Sequence, residues 1–230
     1  MGMRRLSIID LSTGKQPIFS RDRKKVIVFN GEIYNYQTLK KELIKNFNPH
    51  FSTTSDTEVV LHLYEQYGIE AFNKLDGMFA FVIYDDQEKT IFAARDRFGE
   101  KPFFYAYLPG KYFVFGSEMK AIQAFTKDYT LNPVMMYNYL SFGVLDNKKD
   151  LSETFYSGIK RLLHAHYLLL HTPTLEKQVK KYWDLDVTRQ DNKISLDDAK
   201  EKFQSLFYTS VNRRLRSDVN VGSSLSGGLD

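Results

Sequence analysis

Cysteine is absent from the 230-residue chain. Its absence excludes disulfide bonds and thiolate metal sites. The five histidines show no paired spacing of the His-x-x-x-His kind, so the sequence predicts no metal centre. Long apolar runs are also lacking: none approaches the ~20 residues of a membrane span, and the basic start of the chain is not followed by the apolar core of a signal peptide. These absences predict a soluble, cytoplasmic protein without membrane contacts.

The charge balance is mildly basic, with a net charge of +4 and a pI near 9.0. Basic residues are interspersed with acids, and the short cluster Arg213-Arg214 with Arg216 lacks the aromatic neighbours of a base-stacking surface. Nucleic acid is therefore not a predicted partner. Hydrophobic residues make up 43% of the chain, which indicates a folded protein with a substantial core.

The segment Val26 to Tyr36 carries the strongest local signal. Its β-branched and aromatic start predicts a strand that leaves the sheet at Asn30-Gly31, followed by a helix from Tyr36 to Phe47. Asn-Gly is commonly only a hairpin turn, and that alternative stays open for the dipeptide alone. A strand, a donor-rich turn and a helix favour a ligand site, because the Asn30 amide and the Gly31 N–H are neutral donors that can hold an oxyanion.

The string Asn30-Gly31-Glu32-Ile33-Tyr34-Asn35 resembles the signature of class II glutamine amidotransferases of the asparagine synthetase type. The resemblance implies that Asn30 and Gly31 form the oxyanion hole and that Glu32 binds glutamine.

Two further residues are candidates for glutamine binding. Asp56 lies in a predicted capping box, with Ser55 as N-cap and Glu58 three residues later, and an acid in the first turn is expected from the helix dipole alone. The pair Arg4-Arg5 could equally be exposed. The resemblance implies that Asp56 binds the α-ammonium group of glutamine and that Arg5 binds its α-carboxylate.

The last residues of the chain read Ser-Gly-Gly-Leu-Asp after a predicted strand at Val219–Val221. Glycines after a strand let successive backbone N–H groups surround a phosphate. The segment resembles the start of the pyrophosphate loop of ATP pyrophosphatases, which adenylate a carboxylate. The resemblance implies ATP binding, with Mg²⁺ in the intact parent enzyme, at Leu225, Ser226, Gly227, Gly228 and Asp230.

Successive predicted hairpins indicate antiparallel sheets with helices outside, an α+β fold. The resemblance implies an αββα sandwich of two antiparallel sheets between helices, Ntn-hydrolase-like and lacking its first strands, over residues 1–186. Residues 187–230 are then expected to hold a linker and the first helix and strand of an α/β nucleotide-binding synthetase domain. The exposed edge that the lost strands would leave predicts poor solubility or a homodimer.

The resemblance implies a parent enzyme that makes asparagine from aspartate, glutamine and ATP, with glutamine hydrolysis supplying ammonia. The family's nucleophile is an N-terminal cysteine, and this chain has none. We therefore expect the 230-residue polypeptide to bind glutamine or glutamate without turnover. Two alternatives stay open: an amide-forming or β-lactam-forming synthetase of the same layout, and a non-catalytic glutamine-binding module.

Overall fold

The computed structural model describes residues 1–2, 10, 14–190, 193–215 and 217–222. Arg5 and the predicted ATP loop at residues 225–230 lie outside this set. In chain order the elements are β1 (Ile18–Phe19), β2 (Lys25–Ile33), α1 (Tyr36–Phe47), α2 (Asp56–Tyr67), a 3₁₀ helix (Gly68–Lys74), β3 (Gly77–Asp85), β4 (Thr90–Arg95), β5 (Phe104–Leu108), β6 (Tyr112–Gly116), α3 (Met119–Thr126), α4 (Pro133–Phe142), β7 (Lys160–Arg161), β8 (His166–His171), β9 (Glu176–Lys181) and α5 (Leu196–Arg214).

The strands form two antiparallel sheets. The larger sheet has the order β1-β2-β3-β4-β8-β9, and the smaller has the order β6-β5-β7. Strand β3 at the centre of the larger sheet is buried on both faces, as its unbroken apolar run predicts. Phe79 and Phe81 belong to the core cluster shared with α1 and α2, whereas Ala80 and Val82 belong to the cluster shared with Tyr105 of the smaller sheet.

A third cluster completes the layering. Ala106 of β5 packs with Ile122 of α3 and with Ile159, on the face of the smaller sheet that points away from the larger one. The order of layers is thus helices, large sheet, small sheet, helix. This arrangement confirms the predicted α+β fold with two antiparallel sheets between helices. Among the helices of the described residues, none combines the length and the hydropathy of a membrane span.

Strand β2 does not end where the sequence predicted. The ladder with β3 continues through Asn30, opposite Ala80, and Gly31, opposite Phe79, and reaches Ile33. The prediction that the chain leaves the sheet at Asn30-Gly31 is therefore wrong. Gly31 has no Cβ, and an added one would overlap the carbonyl oxygen of Met78, so the glycine permits close strand approach instead of a turn.

Helix α5 is the helix that the sequence analysis expects within residues 187–230. Ser195 is its N-cap, and Ser195 Oγ accepts a hydrogen bond of 3.1 Å from the Asp198 amide. None of its residues is buried. The strand predicted at Val219–Val221 is not formed within the described segment 217–222, where no neighbouring strand offers backbone groups to pair with.

Candidate functional site

A pocket of about 600 Å³ opens beside β2. Its apolar lining comes from both sheets, and includes Val28 and Val82 of the larger sheet and Phe115 of the smaller. Its polar lining includes Asn30, Glu32, Asp56, Thr57 and Lys101. A concave space with apolar walls and a few polar groups is the usual form of a small-molecule site.

The strand period places the β2 residues of this pocket. Successive side chains of a strand point to opposite faces, so Val28, Asn30 and Glu32 lie on one face and Phe29 lies on the other, in the helix-side core. Gly31 reaches the pocket through its backbone, with a φ of +144° that an L side chain rarely adopts. The continuous strand therefore brings both Asn30 and Gly31 to the pocket.

Asp56 lies at the first position of α2 and is 3% exposed. Its Oδ2 accepts a hydrogen bond of 2.9 Å from the backbone amide of Ile33, at the end of β2. This bond ties the start of α2 to the strand that carries Asn30 and Glu32. Asn30 and Glu32 of β2 and Asp56 of α2 thus line the same pocket.

The capping of α2 differs in part from the predicted capping box. Ser55 is the N-cap, and its Oγ accepts a hydrogen bond of 3.2 Å from the Thr57 amide. Glu58 does not return to the Ser55 amide; its carboxylate accepts hydrogen bonds of 2.8 Å from the Ser52 amide and 2.7 Å from the Thr53 amide. The Glu58 carboxylate therefore fixes the loop that precedes the helix, at amides two and three residues before the one that a capping box uses.

Glu32 is the second buried carboxyl group of the pocket, with 7% exposure. Burial raises its pKa above the ordinary value of 4.5, the nearby Asp56 carboxylate raises it further, and Lys101 lowers it. Two buried carboxyl groups side by side favour a cationic ligand group, because a bound ammonium would relieve their mutual repulsion.

Gln16 is a pocket residue that sequence reasoning missed. Its side-chain Oε1 accepts a hydrogen bond of 2.6 Å from the Phe29 amide, and its Nε2 donates one of 2.8 Å to the Phe29 carbonyl. The amide side chain therefore pairs with β2 as the backbone of a neighbouring strand would, directly before Asn30. No sequence pattern predicts this role, because it depends on the Gln16 side chain lying next to the Phe29 backbone in the folded protein.

Lys101 is also a pocket residue that the sequence analysis missed, and it lies in the turn after β4. The fully buried Asp96 organises this turn. Its carboxylate accepts hydrogen bonds from the amides of Phe98, Glu100 and Lys101, at 3.0, 3.0 and 3.1 Å. The hydrogen bonds to Asp96 therefore fix the turn that carries the Lys101 cation at the pocket.

Four of the predicted site residues line this one pocket: Asn30, Gly31, Glu32 and Asp56. Arg5 lies outside the described residues, as do Leu225, Ser226, Gly227, Gly228 and Asp230, so their roles stay predictions. Within the described ranges, no group of three or more His, Cys, Asp or Glu side chains is arranged to hold a metal ion.

A family model described as the glutamine amidotransferase domain matches residues 1–183. The chain belongs to this family. A second family model, described as asparagine synthase, matches residues 202–230. The pocket lies entirely within the first match.

Curated relatives match the chain over almost its whole length. Asparagine synthetase (glutamine-hydrolyzing) 2 of Bacillus subtilis (strain 168) is 39% identical over 234 residues, which cover 99% of this chain and 31% of that protein. Amidase chyE of Penicillium rubens is 36% identical over 236 residues, which cover 100% of this chain and 33% of that protein. The chain thus spans about a third of the length of these relatives.

A solved structure shares the fold. The allosteric regulatory enzyme of purine biosynthesis aligns with a TM-score of 0.51 at 20% identity, over 77% of this chain and 33% of that one. At this identity the likeness concerns the fold alone, and it agrees with the layered αββα arrangement.

Proposed function

We propose that the pocket beside β2 binds the amino-acid moiety of glutamine. The observation that carries this proposal is the joint placement of Asn30, Glu32 and Asp56 around one pocket in a chain of the glutamine amidotransferase family. In the proposed complex, Asp56 and Glu32 receive the α-ammonium end, and the Asn30 amide with the Gly31 N–H faces the carbonyl that becomes an oxyanion. Arg5 is proposed to bind the α-carboxylate.

We further propose that the intact parent makes asparagine from aspartate, glutamine and ATP. The match of residues 202–230 to the asparagine synthase model and the asparagine synthetases among the relatives support this reaction. The proposed glutamine domain covers residues 1–186, and the proposed ATP contacts are Leu225, Ser226, Gly227, Gly228 and Asp230. When bound, ATP and Mg²⁺ would supply the activation of a carboxylate. The proposed compartment is the cytoplasm.

A second candidate is an amide-forming enzyme with a different acceptor. The match to Amidase chyE over the whole chain, at 36% identity, favours keeping it. Both candidates use the same glutamine pocket and differ in the acceptor. A test of acceptors with the parent enzyme separates them: product formation with aspartate supports the first, and product formation only with another carboxylic acid supports the second.

For the 230-residue chain we propose binding of glutamine or glutamate without turnover. The chain contains no cysteine, and the proposed oxyanion donors and ammonium ligands do not carry acyl transfer without a nucleophile.

Isothermal titration of the 230-residue protein with L-glutamine tests the binding proposal. N-acetyl-L-glutamine is the matched control ligand, because it keeps the side chain and the carboxylate but has no ammonium group for Asp56 and Glu32. We expect binding of L-glutamine and none of the control. Equal binding of both ligands, or of neither, would contradict the proposed site. Ammonia release in a parallel glutaminase assay would contradict the proposed lack of turnover.

A further inference from the structure

The segment after the glutamine amidotransferase match contacts Asp76 and Asp10, which accept hydrogen bonds from backbone amides close to Asp56. Arg213 and Asp218, which lie in the part matched by the asparagine synthase model, form these two contacts. Asp56 itself lies within the other family match. The two contacts are formed by different residues and reach Asp56 by different routes.

The first route runs through the end of β2. Arg213 Nη1 lies 2.6 Å from Asp76 Oδ2, and the Asp76 carbonyl accepts a hydrogen bond of 2.7 Å from the Tyr34 amide. The guanidinium carbon of Arg214 lies 4.8 Å from the centre of the Tyr34 ring. The preceding residue, Ile33, donates its amide to Asp56 Oδ2. Helix α5 therefore contacts Asp76 and Tyr34, and Tyr34 directly follows the residue whose amide holds the Asp56 carboxylate.

The second route runs through the loop before α2. Asp218 Oδ2 accepts a hydrogen bond of 2.8 Å from the Asp10 amide. The Asp10 carboxylate, only 4% exposed as a residue, accepts one of 3.0 Å from the Thr54 amide. Thr54 directly precedes Ser55, the N-cap of the helix that begins with Asp56. Movement of Asp218 would thus act on the start of α2.

We infer that Arg213 and Asp218 are positioning residues that hold the Asp56 carboxylate in its place in the pocket. They couple the segment matched by the asparagine synthase model to the glutamine pocket, so that displacement of that segment loosens the ligand site from both sides. The effect on ligand affinity rests on the proposed function, whereas the effect on the backbone around Asp56 does not.

Amide hydrogen exchange, resolved by residue with NMR, tests the backbone effect without any ligand. In the Arg213→Gln variant, we expect exchange at the Ile33 and Tyr34 amides to become about 2- to 5-fold faster, the range that follows from loss of an exposed ion pair. In the Asp218→Ala variant, the same range is expected at the Thr54 amide. A merely global loss of stability would instead accelerate the central amides of β3 and β4 by the same factor.

Two further variants sharpen the test. Lys202→Gln removes a cation from an exposed site on the same helix and should leave the exchange at Ile33 and Thr54 unchanged. The double variant Arg213→Asp with Asp76→Arg restores the ion pair with exchanged charges. It should return the Ile33 exchange rate toward that of the unaltered protein, whereas each single reversal should increase it.

Titration with L-glutamine provides the second readout. We expect about 2- to 5-fold weaker binding in Arg213→Gln and in Asp218→Ala, and a combined loss near the product of the two in the double variant. If the unaltered protein binds no glutamine, the proposed function fails, and the exchange data alone decide the positioning roles. If it binds glutamine and both variants match it in affinity and in local exchange, the inference is overturned.

Discussion

The backbone amide of Ile33 donates a hydrogen bond of 2.9 Å to Oδ2 of Asp56. This bond joins the last residue of β2 to the first residue of α2, so the strand that carries Asn30 and the helix that carries Asp56 share one fixed point. The carboxylate is held by the protein before any ligand arrives, which lowers the entropy that binding must overcome. The same bond makes Asp56 a structural residue and a candidate ligand residue at once, and substitutions must separate the two roles.

Asp56→Asn separates the roles of Asp56 by removing its charge and keeping an acceptor for the Ile33 amide. We expect glutamine binding to weaken by about 10- to 100-fold, because a hydrogen bond to a charged group contributes more than a neutral one. The free energy of unfolding should fall by no more than about 1 kcal/mol, the typical value of an acid at a helix N-terminus. Calorimetric titration and urea unfolding measure the two effects.

The exposed Asp22→Asn variant is the control for the loss of one negative charge from the protein. It should bind glutamine as the unaltered protein does. An Asp56→Asn variant that binds glutamine normally but unfolds much more easily would show that the carboxylate is only structural.

Glu32 makes stability depend on pH in a direction opposite to that of most surface acids. Burial and the Asp56 carboxylate raise its pKa above 4.5, so the folded protein binds the Glu32 proton more tightly than the unfolded chain does. The contribution of the Glu32 proton to the free energy of unfolding is complete below pH 4.5, the ordinary pKa of a glutamate side chain. This contribution is lost as the pH rises through the pKa of Glu32 in the folded protein. We expect the Glu32→Gln variant to be more stable than the unaltered protein at pH values above the folded-state pKa of Glu32. Below pH 4.5 the two proteins should be equally stable.

Urea unfolding of both proteins between pH ~4 and ~8 measures this difference. Glu201→Gln, on the exposed surface of α5, should show no comparable change with pH. A stability difference for Glu32→Gln that stays constant over the whole range would contradict the proposed titration of Glu32.

The elements that the sequence predicts well are those with strong local signals. Helix α1 has the predicted bounds, Tyr36 to Phe47, because its apolar residues repeat on one face. Helix α2 begins after Ser55, as its N-cap position predicts. The hairpins β3-β4 and β5-β6 follow turn residues and apolar runs that are visible in the chain. These features depend on neighbours within a few residues.

The features that the sequence could not predict depend on distant neighbours. Asn30-Gly31 has the local signal of a turn, and only the carbonyl of Met78 lying against Gly31 shows why a glycine is required within a strand. No sequence pattern around Gln16 or Phe29 predicts the hydrogen bonds between them. The contacts of Arg213 with Asp76 and of Asp218 with Asp10 each span more than a hundred residues, and no periodicity encodes them.

Gly31→Ala tests the close approach of β2 and β3. The new Cβ would overlap the Met78 carbonyl, and the φ of +144° would strain an L residue, so we expect unfolding to become easier by about 3–5 kcal/mol. Gly110→Ala is the matched control, because Gly110 also has a positive φ, +70°, but open space around its Cβ position. It should cost only about 1–2 kcal/mol. Equal losses in the two variants, measured by urea unfolding, would show that strand contact at Gly31 is unimportant.

Arg95 holds the turn that presents Lys101 to the pocket. Its guanidinium donates to three carbonyl oxygens: Nε to Lys101 at 2.6 Å, Nη1 to Leu162 at 2.8 Å and Nη2 to Gly99 at 2.7 Å. A lysine ammonium keeps the charge but cannot reach three acceptors from one plane. We therefore expect Arg95→Lys to lower the free energy of unfolding by about 2–4 kcal/mol, since carbonyl groups in a partly buried turn are left without a donor.

The single tryptophan, Trp183, reports on this region, because its ring lies 5.6 Å from that of Phe98 in the same turn. Urea unfolding followed by its fluorescence measures the loss in Arg95→Lys. Arg23→Lys is the control: Arg23 is exposed and contacts the Phe19 ring, so this change should alter stability by no more than about 0.5 kcal/mol.

Because Lys101 lowers the pKa of Glu32, displacement of this turn in Arg95→Lys should also raise that pKa. The pH interval over which stability is lost should then shift upward in Arg95→Lys, and an unchanged interval would show that Lys101 keeps its place without Arg95.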